Sequence, residues 1–381
     1  MNKRQDFLAL YQGLLSGLNL VQQKSWQAPE LEKYFPDLRD HWAPLLAARH
    51  APLSISEEKY RALAHLETML LTWDDPIEAS LLKRRLAKID GYFLEVEKTF
   101  CDDESLQFFL QDLPLLQAET SEKNLLIETA APRLSSLEAS VILDQELQEL
   151  FPGRNAKTML SQGTLARAST TKKGIRLRED ATFTREELET LTVHEAWVHL
   201  GSNLAGAVQT ELPWLSSWHP GVTGFQEGLA LIAEIVTGHW HEHREAQVIL
   251  RHQAALMALK GENARQVWSF LRDHSLNDVA ALEMTLRVFR GCDLAGGMAF
   301  GKEFQYVLGL QQWLVRQSSV TAEDMRLALA GKMDFLEWEI LRSSNLKDKI
   351  LLPHPPTALT HWAQGPHITD LIQRLQFKKI A

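Results

Sequence analysis

Two histidines and a glutamate within one apolar stretch constrain how that stretch can fold. Residues 191–200 read LTVHEAWVHL, which places His194, Glu195 and His199 in an H-E-x-x-x-H arrangement. Each residue of a regular α-helix turns the chain by about 100°, so side chains five positions apart diverge by about 140°. A π-helical turn brings such residues back onto one face, and these turns concentrate at functional sites. The spacing therefore predicts a widened turn near residues 196–198.

The residue types in this stretch are those of a catalytic zinc site. Two imidazoles can bind Zn²⁺ through ring nitrogens, and Glu195 can take a proton from a water that the metal activates. With 14 histidines in 381 residues, a pair at this spacing also arises by chance on an ordinary helix. The metal hypothesis therefore requires a third ligand.

Two glutamates further along the chain are candidates for that ligand. Residues 224–235 read GFQEGLALIAEI, in which Glu227 and Glu234 are seven residues apart and share nearly one helix face. Zinc peptidases often combine two histidines with one carboxylate. Either glutamate can reach the metal while the other orients a histidine, and we favour Glu227 as the ligand. For Glu234 the alternative is an ordinary helical carboxylate.

Several motifs together resemble those of one bacterial protein family. Besides the H-E-x-x-x-H stretch they are QEGLA at 226–230, RVFRG at 287–291, FGKE at 300–303 and GKM at 331–333. Over roughly residues 125–381 the chain resembles the QEGLA-motif proteins, also called flavohemoglobin expression-modulating, whose eukaryotic relatives are the microtubule-associated tyrosine carboxypeptidases. The resemblance implies a zincin-like metallopeptidase with His194, His199 and Glu227 on Zn²⁺ and Glu195 as the catalytic base.

A carboxypeptidase must also bind the terminal carboxylate of its substrate. A guanidinium does so through two parallel hydrogen bonds, so Arg287 or Arg290 is predicted to take this role. Lys302 and Tyr306 are further substrate-binding candidates, and the Tyr306 hydroxyl can donate to a developing oxyanion. Surface ion pairs or helix packing are the alternatives for these residues.

The motifs favour a zinc-dependent carboxypeptidase whose partner is the C-terminus of a peptide or protein. A dipeptidyl peptidase or an endopeptidase is the alternative enzyme, and these are distinguished by whether blocking the N-terminus or the C-terminus of the substrate prevents cleavage. A regulatory binding protein with a structural zinc is the alternative from another class. A fourth protein ligand to the metal would favour that role.

Composition limits the other possibilities. A chain of 381 residues with 45% apolar residues is long enough to bury a large core. The net charge of −9 argues against a nucleic-acid partner, and no apolar segment approaches the ~20 residues that span a bilayer. The two cysteines, Cys101 and Cys292, predict no disulfide framework. Residues 1–21 read as an amphipathic helix rather than a secretion signal, which favours a cytoplasmic protein without a membrane partner.

Apolar periodicity predicts an α+β, predominantly helical protein with a small sheet beside the metal-binding helix, and the family resemblance implies that this protein is zincin-like. A helical region at 1–123 and a catalytic region at 124–381 are expected, with helices at 56–71, 77–100 and 137–151. Strands are predicted at 125–129 and as a hairpin of 164–168 with 174–178, the latter as a substrate-binding edge. Thr184 and Glu187 form a capping box that starts the metal-binding helix, and Gly201 and Gly206 mark its end.

Other histidines were candidates for metal binding or catalysis. His239, His241 and His243 lie where a loop enters a helix and are expected to be solvated rather than to form a second metal site. His219 lies in the segment 209–224, which is rich in Pro, Trp, Ser and Gly and is expected to line the cleft. It is predicted either to bind a reaction intermediate or, as the simpler alternative, to have no role.

Overall fold

A computed structural model describes residues 3–16, 54–97, 114–117, 132–162, 166–274, 277–290, 292–360 and 376–379, and most of these described residues are helical. The α-helices are α1 (Lys3–Leu15), α2 (Glu57–Leu70), α3 (Pro76–Glu97), α4 (Ser136–Leu150), α5 (Arg185–Leu191), α6 (Gly201–Ala207), α7 (Val222–Val236), α8 (Glu242–Leu259), α9 (Ala264–Asp273), α10 (Asp278–Val288), α11 (Lys302–Arg316), α12 (Ala322–Ala328), α13 (Phe335–Ser343) and α14 (Thr357–Thr360). A π-helical segment, Thr192–Leu200, joins α5 to α6, and 3₁₀ turns span Pro213–Ser216, Gln317–Ser319 and Asn345–Lys349. None of these described helices is long and apolar enough to cross a membrane.

The strands form small sheets. They are β1 (Pro114–Gln117), β2 (Leu134–Ser135), β3 (Lys157–Ser161), β4 (Ala168–Thr170), β5 (Gly174–Arg178), β6 (Thr182–Phe183) and β7 (Gln376–Lys379). Strand β1 pairs with β7 and β2 with β6, both antiparallel. In the remaining sheet, β5 lies between β3, its parallel neighbour, and β4, its antiparallel neighbour. The predominantly helical α+β class is confirmed, and the zincin-like arrangement stays a prediction.

The three-stranded sheet corrects the prediction of the edge strand. Residues 174–178 are the central strand β5, and both Ile175 and Leu177 are fully buried. The hairpin turns through a 2.8 Å hydrogen bond from Thr171 N–H to Gly174 O, but its first strand is β4 instead of 164–168. Strand β3 covers the other side of β5 by a parallel pairing, which local alternation cannot reveal. The predicted strand at 125–129 lies outside the described residues.

The helices and caps follow the local sequence signals closely. Helices α2, α3 and α4 coincide with the predicted ones to within three residues at each end. The capping box is present, since Thr184 Oγ1 accepts from Glu187 N–H at 3.1 Å and Glu187 Oε2 accepts from Thr184 N–H at 2.8 Å. The metal-binding helix does not end at Gly201, because Gly201 continues it as the first residue of α6. It ends beside Gly206, the other predicted position.

Buried apolar side chains form three clusters, two of which include residues of the π-helical segment. The first joins α1, α2 and α3 to α7 and α11, the second joins α8, α9 and α10, and the third joins α4 and β5. Val193 and Val198 of the π-helical segment belong to the first cluster, and Ala196 and Leu200 belong to the third. The segment is therefore packed against the first and the third cluster, and its polar residues point toward the space between these two clusters.

Helices α7 and α11 approach so closely that only glycine fits between them. A Cβ on Gly228 would lie 2.2 Å from the carbonyl carbon of Gly309, and a Cβ on Gly309 would lie 2.0 Å from the Gly224 oxygen. Real non-bonded atoms do not come this near, so the two glycines set the distance between the backbones. Because α7 carries Glu227 and α11 carries Lys302, this crossing also brings those two side chains together.

A buried ion pair joins α3 to the C-terminal part of the chain. Arg85 donates from Nε and Nη2 to the carboxylate of Glu337, at 2.7 and 2.9 Å, and from Nη1 to Trp214 O at 2.8 Å. Both charged side chains are almost completely buried.

The proposed boundary at 123/124 lies outside the described residues, so the division into two regions stays a prediction.

Candidate active site

The π-helical segment brings the two histidines onto one side of the helix. Gly201 N–H donates to Ala196 O five residues earlier, which is the hydrogen bond that defines a widened turn. The imidazole centroids of His194 and His199 lie 4.9 Å apart, and both rings are almost completely buried. The predicted widening is thus confirmed, and it extends over all nine residues of the segment.

Glu227 of α7 faces both imidazoles. Its two oxygens lie 3.4 Å from His194 Nε2 and 3.5 Å from His199 Nε2. Within the described part of the chain, the buried atoms His199 Nε2 and Glu227 Oε2 have no hydrogen-bond partner. Leaving buried polar atoms unpaired costs free energy, so such atoms in a cleft indicate a binding site for a ligand.

The donor set and its spacing fit a divalent metal ion. Two ligands that each lie about 2.0–2.1 Å from one tetrahedral zinc stand roughly 3.4 Å apart, close to the distances from Glu227 to the imidazoles. Ligand atoms of His194, Glu195 and His199 also lie within 4.8 Å of one another. Two carboxylates, Glu195 and Glu227, are therefore near enough to be the third ligand.

Glu234 occupies the other side of His194. Its Oε1 lies 2.6 Å from His194 Nδ1, while Arg244 donates from Nε and Nη2 to the same carboxylate at 2.7 and 2.8 Å. Burial alone would raise the pKa of Glu234, but Arg244 and then His194 lower it to about 2. The ionised carboxylate therefore accepts a hydrogen bond from Nδ1–H and directs the Nε2 lone pair of His194 toward Glu227.

Glu195 is held by the edge strand of the sheet. Thr170 Oγ1 of β4 lies 2.5 Å from Glu195 Oε2 and 3.0 Å from the Glu195 backbone oxygen. Burial favours the neutral acid, but His199, His194 and Lys302 outweigh it and hold the pKa of Glu195 below its usual value. The side chain is consequently an ionised carboxylate at neutral pH, ready to accept a proton.

Two cavities open beside these residues and meet at Glu195. The larger, of about 420 Å³, reaches toward α8 and α10, and the smaller, of about 310 Å³, reaches toward α7 and α11. Both are lined by Glu195, Arg287 and Tyr306. An extended ligand can therefore lie on both sides of Glu195.

All four predicted substrate-binding residues line the smaller cavity. Arg287 is already engaged, since its Nε lies 2.6 Å from Glu303 Oε1 and its Nη2 donates to Tyr306 Oη at 3.2 Å. Lys302 Nζ lies 2.8 Å from Glu227 Oε1, and the guanidinium of Arg290 lies over the Phe300 ring at 5.4 Å.

Tyr306 lies against His194, with ring centroids 6.2 Å apart. Burial, followed by the charge of Glu227, raises the pKa of the Tyr306 phenol, which therefore keeps its proton. The structure thus brings the predicted residues together in one cleft, and their roles stay predictions.

Sequence reasoning missed several residues of this site. Arg244 and Thr170 orient Glu234 and Glu195, and Lys332 lines the smaller cavity with its Nζ 3.1 Å from Gln226 Oε1. Gln226 lies in the QEGLA motif and Lys332 in the GKM motif, so these two motifs could have identified the pair from the sequence. Nothing local in the sequence marks Arg244 or Thr170, because each acts through a residue far away in the chain.

The other histidines have structural surroundings. His219 is fully buried outside both cavities, its Nε2 lies 3.0 Å from Glu337 Oε2, and its Nδ1 accepts from Gly221 N–H at 3.3 Å. This position favours the simpler alternative, in which His219 has no role in the reaction. Although donors of His219, Asp334 and Glu337 lie close together, Arg85 already neutralises Glu337, which explains the cluster without a metal.

His241 caps a helix and contributes to a cavity wall. Its Nδ1 accepts from Arg244 N–H at 3.2 Å, so it is the N-cap of α8. His241 and His243 are partly buried in the larger cavity instead of fully solvated. Within the described residues, neither belongs to a group of three potential ligands.

A family model described as microtubule-associated tyrosine carboxypeptidase matches residues 107–379, well over half of the chain. The chain belongs to this family. The matched residues include every residue assigned above to the candidate site. Membership in the microtubule-associated tyrosine carboxypeptidase family supports an enzyme of the carboxypeptidase class, whose substrate is a peptide or protein with a free C-terminus. No curated protein matches the chain.

Proposed function

We propose that this protein is a zinc-dependent carboxypeptidase of the QEGLA and zincin-like type. The observation that carries the proposal is the convergence of His194 Nε2, His199 Nε2 and the Glu227 carboxylate, two of whose buried atoms lack a hydrogen-bond partner among the described residues. Two imidazoles and one carboxylate are a donor set of catalytic zinc sites. Zinc held there activates a water and polarises the scissile carbonyl.

Glu227 is the proposed ligand, and Glu195 is the proposed general base. Thr170 already donates to one oxygen of Glu195, whereas Oε2 of Glu227 has no such donor among the described residues. Glu195 accepts a proton from the attacking water and then delivers it to the leaving amine. Its lowered pKa keeps it ionised at the start of this cycle.

Tyr306 is the proposed donor to the developing oxyanion. Arg287 donates to its oxygen at 3.2 Å, which leaves the phenolic proton free to point toward the cleft. The raised pKa of Tyr306 keeps that proton in place at neutral pH. The first substrate to test is a peptide that ends in tyrosine, because the family is described as a tyrosine carboxypeptidase.

An endopeptidase is the second candidate function. The two cavities meet at Glu195, so a chain that continues on both sides of the scissile bond has space to bind. Peptides with a blocked C-terminus discriminate between the two enzymes. An endopeptidase still cleaves them, and a carboxypeptidase does not.

The test compares the zinc-loaded protein with its Glu195→Gln variant on a peptide library analysed by mass spectrometry. We expect the wild type to release single C-terminal residues, and we expect the variant to bind zinc equally well without cleaving. Equal cleavage by the two proteins would refute the assignment of the base. Zinc bound by both proteins, with no cleavage by either, would favour a structural zinc in a regulatory binding protein.

A further inference from the structure

Four cationic side chains line the smaller cavity, and their partners differ. Arg287 pairs with Glu303, and Lys302 pairs with Glu227, so each of these charges is matched by a carboxylate. Lys332 Nζ lies 3.1 Å from the neutral amide oxygen of Gln226, and within the described chain it forms no ion pair. A partly buried ammonium beside a neutral acceptor is a ready binding site for an anion.

The amide of Gln226 is itself oriented to hold this ammonium. Its Nε2 donates to Ser202 Oγ at 3.4 Å, which turns Oε1 toward Lys332. Gln226 is buried and directly precedes Glu227 on α7. The anion site at Lys332 is therefore next to the proposed metal ligand.

The backbone of Lys332 is fixed by hydrogen bonds on both sides. Its N–H donates to Leu215 O at 2.6 Å, and its carbonyl accepts from Arg85 Nη2 at 2.5 Å. Arg85 is in turn locked against the buried Glu337. A binding group mounted on such a rigid support needs little ordering when the ligand arrives, which favours affinity.

We propose that Lys332, oriented by Gln226, binds the terminal carboxylate of the substrate, and that the smaller cavity receives the C-terminal residue to be released. Trp218 and Phe300 in the cavity wall offer apolar surface to the side chain of that residue. The inference rests on the proposed function. It assigns to Lys332 the carboxylate role predicted for Arg287 or Arg290. The guanidinium of Arg287 already contacts Glu303 and Tyr306. The guanidinium of Arg290 lies over the Phe300 ring.

The chemistry of lysine fits a terminal carboxylate at this position. Burial lowers the pKa of Lys332 to about 8, although Glu227 and Glu195 oppose the shift. The side chain is thus mainly protonated at neutral pH, and a bound carboxylate would stabilise that form further. Lysine acts as a point charge, so the predicted selectivity is for a negative charge rather than for a planar group.

The experiment compares binding of acetyl-Ala-Ala-Tyr and of its C-terminal amide to zinc-loaded protein. The Glu195→Gln variant is the parent, so that neither peptide is consumed during the titration. We expect the parent to bind the free acid about 10- to 100-fold more tightly than the amide, as a charge-assisted hydrogen bond provides. Adding Lys332→Met should bring this ratio close to one, and Lys332→Arg should retain part of it.

Lys347→Met is the matched control. Lys347 pairs with Glu323 on the surface and lines neither cavity, so removing its charge should leave the acid-to-amide ratio unchanged. The Lys332 main-chain hydrogen bonds persist in Lys332→Met, and thermal unfolding of that variant checks that the fold is retained. A merely structural effect of the substitution would weaken the binding of both peptides alike, because both require the same fold. It would leave the acid-to-amide affinity ratio unchanged.

The outcomes separate this inference from the function on which it rests. If wild-type protein removes C-terminal residues but Lys332→Met keeps the full ratio, the inference is refuted and the carboxypeptidase proposal stands. If Arg290→Gln abolishes the ratio while Lys332→Met does not, the carboxylate is bound by Arg290 and the inference is likewise refuted. If the wild type cleaves nothing and the parent shows no preference for the acid, both proposals fail.

Discussion

Replacing Glu234 by glutamine should weaken zinc binding without removing a ligand. The carboxylate of Glu234 has no exposed surface, and among the described residues its hydrogen-bond partners are His194 Nδ1 at 2.6 Å and the guanidinium of Arg244. A glutamine has the same shape, but its amide nitrogen cannot accept a hydrogen bond. Either His194 or Arg244 then faces the amide N–H group of the glutamine, which is a donor. The imidazole is consequently no longer held in one tautomer and orientation.

The expected loss follows from this geometry. Removing such a partner of a metal-binding histidine typically costs 10- to 100-fold in affinity, which corresponds to about 1.4–2.7 kcal/mol. We place Glu234→Gln in this range because the contact to Nδ1 is short, almost completely buried and accepted by an ionised carboxylate. Glu227→Gln should lose more, since it changes the proposed ligand itself.

Competition with a chromophoric zinc chelator measures the dissociation constant, and circular dichroism checks that each variant is folded. Glu339→Gln is the matched control, because Glu339 is a surface carboxylate paired with Arg316, and its removal should change zinc affinity by less than about twofold. The reasoning is wrong if folded Glu234→Gln binds zinc as tightly as the wild type. It is also wrong if the control loses as much affinity as Glu234→Gln.

Two further predictions concern the framework of the site. Gly228→Ala should lower the free energy of unfolding in urea by about 1–3 kcal/mol, because the new Cβ would overlap Gly309. Gly91 is a helical glycine with no described atom near the position of a Cβ. Gly91→Ala should therefore raise the free energy of unfolding by up to about 1 kcal/mol. Equal effects of both substitutions would contradict the close helix contact. Burial opposes ionisation of Glu337, but Arg85 holds the pKa of this carboxyl well below the usual 4.5. The ionised carboxylate therefore stabilises the folded protein above pH 4.5, and this stabilisation is lost as the pH falls below 4.5. The drop in unfolding free energy between pH 7 and pH 4 should therefore be smaller in Glu337→Gln, and an undiminished drop would exclude this cause.

Local signals in the sequence determined a large part of the site. The five-residue spacing of His194 and His199 predicted a widened helix, because α-helical geometry alone would separate their rings. The capping box of Thr184 and Glu187 located the start of this helix, since both of its hydrogen bonds are made within three residues. Such features depend on neighbours in the chain, and they are visible without the fold.

Contacts between distant residues decided the rest. Periodicity put Glu227 and Glu234 on one helix face, but only packing of α7 against the π-helical segment placed one at Nε2 and the other at Nδ1 of His194. The predicted edge strand became a central strand because β3 paired with it from elsewhere in the chain.

The sequence by itself therefore identified the proposed metal ligands and base and the elements on which they lie. Only the tertiary structure decided their partners. Arg244 reaches Glu234 and Lys332 reaches Gln226 across 10 and 106 positions of the chain, respectively. The physical reason is that helix geometry acts over a few residues, whereas the burial that pairs charges depends on how whole helices pack.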